Sequence, residues 1–146
     1  ESQLNLIYNL MDVYCHPFTS GGQEIPIQEA KLTELITLNT NYSCGEDSCT
    51  EESGGFPLDW AEYREPGTQF IKASTLPESI CAQIEKVFNM SPEQRGVLGK
   101  KARKFVMEKF AIENYNNQKN DHKRILNDIS KELEDNANKN PSRSKL

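Results

Sequence analysis

Long apolar runs are missing from this chain. None of its 146 residues lies in a stretch approaching the roughly 20 apolar residues that a membrane-spanning helix needs, and no secretory h-region is visible. A cytoplasmic protein is therefore expected. Cysteine is scarce as well. Cys15, Cys44, Cys49 and Cys81 are too few and too unevenly spread for a disulfide framework, which points to free thiols in a reducing compartment. Cys44 and Cys49 have four residues between them, a spacing found among zinc ligands, but Cys15 falls in an apolar strand pattern and Cys81 in a helical one. No metal and no cofactor is expected. Basic residues are thin in the front of the chain: residues 1–92 carry 4 Lys and Arg against 14 Asp and Glu, whereas residues 93–146 carry 13 against 8. Affinity for phosphate backbones comes mainly from Lys and Arg, so only the back part could meet one, and nucleic acid is not an expected partner. No internal repeat is present.

What is there suits one domain or part of a larger one. At 36% hydrophobic and 27% charged, with a mean hydropathy of -0.72, a chain of this length buries about two-thirds of its unfolded surface. The first residue is Glu1 rather than Met, which suggests processing or a piece of something longer. Leu4, Ile7, Leu10 and Met11 recur at helical spacing behind Ser2, predicting a short amphipathic helix over 2–11. A β-rich segment over 12–16 is stopped by Pro17, and 19–22 reads as a turn. Pro26 suits a first helical turn, with Ile27, Ala30 and either Leu32 or Leu35 on the buried face. A second apolar strand is predicted over 35–38.

The stretch 44–67 is rich in Gly, Glu, Asp and Ser yet carries Phe56, Trp60 and Tyr63. Disordered segments are poor in aromatics, so part of it should pack. An edge strand is predicted over 69–73. Thr75 with Glu78, and Ser91 with Gln94, both fit the capping box with Pro in the first turn. The first helix should bury Ile80, Ile84, Val87 and Phe88, the second Leu98, Ala102, Phe105, Val106 and Phe110. A long terminal helix is expected from Ile112 to Leu133, then a disordered tail over 136–146. The alternation of strands and helices at the front predicts an α/β class, with a strand at Val13–His16 parallel to one at Ile36–Leu38 through the intervening helix.

The run 12–30, DVYCHPFTSGGQEIPIQEA, carries the chemistry. A strand that ends in a glycine turn and feeds a helix aims free backbone N–H groups and the positive end of the helix dipole at whatever lies above the sheet, which favours an anion such as a diphosphate. Gly21 and Gly22 let the backbone approach a ligand closely, and Glu29 can accept hydrogen bonds from ribose hydroxyls. A tight turn followed by a solvent-facing Glu29 fits the same residues.

This run resembles the donor-binding strand, turn and helix of retaining glycosyltransferases with two Rossmann-like domains, the GT-B architecture, close to glycosyltransferase family four. Asp12, Val13, Tyr14, His16, Pro17, Gly22, Ile25, Pro26, Glu29 and Ala30 match the family pattern. The stretch 57–72 and the helix holding Lys101, Arg103 and Glu108 also resemble family members. The likeness runs to about Leu133 and implies that residues 1–135 are the later part of a C-terminal, Rossmann-like nucleotide-sugar-binding domain with a partial parallel sheet and a helical extension. It implies an enzyme that transfers a sugar from a nucleotide-sugar donor to an unknown acceptor. Ser20, Gly21, Gly22 and Gln23 would face the donor phosphates and sugar, and Glu29, the second residue of the family's Glu-x7-Glu pair, would bind the ribose.

The first Glu of that pair falls on Gly21, a departure that leaves Glu24 to supply the carboxylate to the reacting sugar from a shifted turn, the catalytic assignment. A non-catalytic interaction module that kept the fold is the alternative, and Gly21 is its support. The resemblance also places the cations that clamp the diphosphate, and the acceptor-binding domain, upstream of Glu1; that N-terminal domain would be a partner in the same chain. Transfer needs charge stabilisation on the leaving diphosphate, so the isolated segment should be inactive. Among lesser candidates, His16 either touches the donor or is a structural histidine, His122 reads as packed, and Trp60 and Tyr63 either stack on a base or pack. Arg95, Lys100, Lys101, Arg103, Lys104 and Lys109 form either a solvated helix face or a peripheral membrane contact with anionic lipid.

Overall fold

The computed structural model describes residues 2–110 and Lys131. Residues 1–108 form one compact unit and 109–146 another; every strand among the described residues belongs to the first. The elements are α1 (Ser2–Tyr8), β1 (Val13–His16), α2 (Ile25–Leu32), β2 (Ile36–Thr40), a 3-10 segment (Ser43–Ser48), β3 (Gly55–Leu58), β4 (Trp60–Arg64), β5 (Ile71–Thr75), α3 (Pro77–Phe88) and α4 (Pro92–Phe110). The terminal helix expected over 112–133 and the tail over 136–146 lie outside the described residues, apart from Lys131, which is helical.

The three strands β1, β2 and β3 form a parallel sheet in that order, and β4 and β5 pair as an antiparallel hairpin. Val13 pairs with Ile36 and His16 with Asn39, so the expected parallel pair joined through α2 is present. The fold is thus mixed α/β. Because side chains alternate across a strand, one face of the sheet carries Val13, Cys15, Ile36, Leu38, Phe56 and Leu58, which pack with Val87 of α3 and Leu98 of α4. The other carries Tyr14, His16, Thr37 and Asn39. On that side Tyr14 packs with Tyr8, Ala30 and Leu35. Of the two leucines offered for the buried face of α2, Leu32 is exposed, and Leu35 is buried but lies beyond the end of the helix.

Several sequence expectations are corrected. The stretch 44–67, expected only to pack in part, supplies β3 and β4, and β3 runs through Pro57, which is tolerated because β3 is the sheet edge. The expected edge strand over 69–73 is β5, two residues further on, which leaves Phe70 exposed. The capping box at Ser91 forms: Gln94 N donates to Ser91 Oγ at 3.3 Å and Ser91 N to Gln94 Oε1 at 2.9 Å. The one at Thr75 does not, since Thr75 is the last residue of β5, its hydroxyl meets Thr40 Oγ1 at 2.7 Å, and Leu76 stands at the cap. Phe88 is 79% exposed and Ile84 also lies outside the core, as do Leu4, Ile7, Leu10 and Met11 at the front, where Tyr8 alone of residues 3–11 is buried. Helical periodicity marks which residues share a face; whether anything covers that face is a tertiary matter.

Lys31 of α2 has no exposed surface. Its ammonium donates to the carbonyl of Ser53 and lies 5.6 Å from the centre of the Phe105 ring. Desolvation pushes its pKa from the ordinary lysine range down to about 7, as burial of a cation without a carboxylate partner dictates.

Candidate functional site

The site is built where β1 ends and α2 begins. Pro17 closes β1, Phe18 is anchored by its amide to Thr40 Oγ1 at 3.0 Å, and Ser43 Oγ donates to the Gly21 carbonyl at 2.9 Å. These two bonds fix the chain on either side of the turn. Glu24 stands at the cap of α2 without capping it through its side chain, and Pro26 takes the first turn. Among the described residues, none accepts a hydrogen bond from the amides of Gly21, Gly22 or Gln23. Ser20, Gly22 and Gln23 are exposed, Gly21 and Glu24 half-buried.

The two glycines differ. A β-carbon built at Gly22 meets nothing within 4 Å, so the outer side of the turn is open. A β-carbon built at Gly21 collides with Oε1 of Glu24, and the Cys44 sulfur lies 3.6 Å from the same point. The Glu24 carboxylate thus folds back over Gly21 and sits where a side chain at position 21 would begin. Neither glycine has a positive φ; the reason for glycine at 21 is space rather than backbone conformation.

The other oxygen of Glu24 is held by His16. Nε2 of His16 lies 2.9 Å from Glu24 Oε2, and its Nδ1 lies 3.3 Å from the Tyr14 hydroxyl. With the ring proton on Nε2 donated to Glu24, Nδ1 accepts the Tyr14 O–H, which satisfies both ring nitrogens. The Tyr14 and His16 rings stack at 5.6 Å, and Phe18 tilts against His16 at 5.7 Å. Beyond Tyr14, Tyr8 contacts its ring edge-on at 5.7 Å, and the Tyr8 hydroxyl donates to Glu29 Oε2 at 3.1 Å. Two polar arms, Glu29 with Tyr8 and Glu24 with His16 and Tyr14, therefore meet at the ring contact of the two tyrosines.

Burial, reinforced by the Glu29 hydrogen bond, pushes the Tyr8 phenol up to about 12. Burial and then the negative charges of Glu29 and Glu24 push Tyr14 up. Both phenols stay protonated donors at neutral pH. Burial likewise pushes the Cys44 thiol up, with Glu24 adding to it and the Glu24 amide opposing it.

The structure brings Ser20, Gly21, Gly22, Gln23 and Glu24 together at one turn and sets Glu29 one helical turn further along α2. Tyr8, Ser43 and Cys44 were missed as site neighbours; nothing in their local pattern marks them, since each arrives from a distant part of the chain. Tyr14 carried a signal in its alternation with His16, which puts both on one face of β1. Trp60 stands apart: its Nε1–H donates to the Asn41 carbonyl at 2.7 Å and its ring lies 4.7 Å from that of Tyr42.

All four cysteines are free, and among the described residues no three His, Cys, Asp or Glu side chains gather as a metal site. The basic face of α4 is partly engaged: Arg103 donates to the Leu32 carbonyl, Lys101 lies 3.8 Å from Glu51 and Lys104 3.7 Å from Glu108. No helix among the described residues is long and apolar enough to cross a membrane. Comparison of the chain with family models, with curated proteins and with solved structures finds no match in any of the three.

Proposed function

We propose that this chain is the later part of a Rossmann-like, nucleotide-sugar-binding domain of a GT-B glycosyltransferase resembling family four, and that the turn 20–24 with Glu29 is its donor site. The observation that carries the reading is the Glu24 carboxylate lying over Gly21. The resemblance asks for a carboxylate borne by position 21, and Glu24 brings one against that position from three residues further on. The open side of Gly22 and the unengaged amides of Gly21, Gly22 and Gln23 support a diphosphate there, because backbone N–H groups at a helix start complement an anion. Glu29 accepts the ribose hydroxyls, and Glu24 the hydroxyls of the sugar that is transferred.

In this reading the glycosidic C–O bond to the diphosphate breaks and the diphosphate leaves with the electron pair, the acceptor's hydroxyl oxygen forms the new bond to the anomeric carbon and passes its proton to the departing phosphate oxygen, and cations on preceding residues of the same polypeptide stabilise the leaving group. The acceptor domain lies there too. The polypeptide works in the cytoplasm.

The test is calorimetric titration of nucleoside diphosphates into the polypeptide that carries this segment, with Glu29→Ala alongside. Loss of a charge-assisted acceptor, about 1.5–3 kcal/mol, lowers affinity by roughly ten- to a hundredfold without unfolding the protein. Unchanged affinity overturns the donor-site reading and leaves the interaction module, whose support is the glycine at position 21.

A further inference from the structure

Glu24 and Glu29 are each held by one oxygen. His16 takes Glu24 Oε2 at 2.9 Å and Tyr8 takes Glu29 Oε2 at 3.1 Å. Both holders come from outside the turn: Tyr8 from α1, where it is 6% exposed, and His16 from the end of β1. Tyr14 hydrogen-bonds His16 and packs edge-on against Tyr8, so the two holds meet at one tyrosine. A glutamate on the surface of a short helix would otherwise sample several rotamers, and fixing it on binding costs roughly two- to tenfold in affinity for a side chain of this kind.

We propose that Tyr8 and His16 are positioning residues, Tyr8 aiming the Glu29 carboxylate at the ribose diol and His16 aiming the Glu24 carboxylate at the donor sugar, with Tyr14 locking the two together. The proposal rests on the donor-site reading above. A purely structural role for these side chains would stabilise the fold equally whatever ligand is offered. A positioning role is specific to the part of the ligand that each carboxylate reads. Tyr8→Phe keeps the ring that packs on Tyr14 and removes only the hydroxyl. His16→Gln keeps an N–H donor at the reach of Nε2, whereas His16→Leu keeps bulk without it.

The experiment uses the polypeptide that carries this segment and compares uridine and guanosine diphosphates with their 2′,3′-dideoxy counterparts. Tyr8→Phe is expected to weaken binding of the ribose form by roughly three- to tenfold, as loss of one hydrogen bond to a charged group allows. Binding of the dideoxy form should stay within about twofold. In the Glu29→Ala background, Tyr8→Phe should add nothing further, because its effect passes through that carboxylate.

For His16 the probes are UDP-glucose and GDP-mannose against the corresponding diphosphates. His16→Leu should weaken the sugar conjugate alone, and His16→Gln should restore most of it. Equal losses for both members of a pair, or none for either, overturn the positioning roles while leaving the donor site standing if Glu29→Ala still weakens binding. A wild-type protein that binds ribose and dideoxy forms alike overturns the donor-site reading, and the positioning roles with it.

Discussion

Oε1 of Glu24 occupies the place where a side chain on Gly21 would begin, while its Oε2 sits 2.9 Å from Nε2 of His16. One carboxylate thereby ties the turn to the end of β1. The residue at 21 must be small because the residue at 24 is not.

Gly21→Ala should push the carboxylate off His16 without unfolding the protein, since the atom it meets is the far end of a flexible side chain. A stability change within about 1 kcal/mol is expected for a half-buried site of this kind. The His16 ring resonances, followed by NMR, should shift as far as they do in Glu24→Gln. If they stay in place, the carboxylate does not cover Gly21.

At Gly22 the expectation is the reverse of a packing defect. The space beside it is open, so Gly22→Val should leave the thermal midpoint within a few degrees. Binding of nucleoside diphosphate should nevertheless be abolished, because the added methyls stand where the backbone must meet phosphate. Retained binding in this variant would remove the turn from the site.

Two glycines of α4 should respond with opposite signs. A β-carbon at Gly99 would strike the carbonyl of Glu34, a backbone atom fixed by a residue with φ of 63°. Gly99→Ala should therefore cost about 1–3 kcal/mol, in the range of overpacking. A β-carbon at Gly96 meets nothing within 4 Å, so Gly96→Ala should gain roughly 0.5–1 kcal/mol from the lower entropy of the unfolded helix interior. Urea denaturation of the pair decides it; a gain at both positions would show that α4 does not approach Glu34 closely.

Lys31 gives the pH dependence. Its pKa is about 7 when folded and in the ordinary lysine range, 10.5, when unfolded, so between those values the unfolded chain binds more protons. Stability attributable to this group therefore rises with pH through that window, by up to roughly 1 kcal/mol per unit, and is lowest below pH 7. Lys31→Met removes the titration. The stability difference between wild type and this variant, measured by urea denaturation at pH 6.5, 8 and 9, should move toward wild type as pH rises. A flat difference would mean that the ammonium is well solvated or paired.

Local order was legible in the residues themselves. The β1, turn and α2 unit follows from Pro17, the glycine pair and Pro26, and the parallel pairing of β1 with β2 follows from the shortness of the two apolar runs and the helix between them. The cap at Ser91 was legible because its partner, Gln94, is three residues away. Pattern and capping act within a turn or two of chain, and a sequence displays interactions of that range directly. Pro57 in β3, Thr75 turned away from its cap toward Thr40, and Phe88 left in solvent were settled by what each residue met at long range. The site divides in the same way. The turn and Glu29 could be named from the chain, but the hold of Tyr8 on Glu29 spans 21 residues, and the fold of Glu24 over Gly21 depends on His16 arriving from β1. Such contacts form only when packing brings separate elements together, and no periodicity or local propensity encodes them.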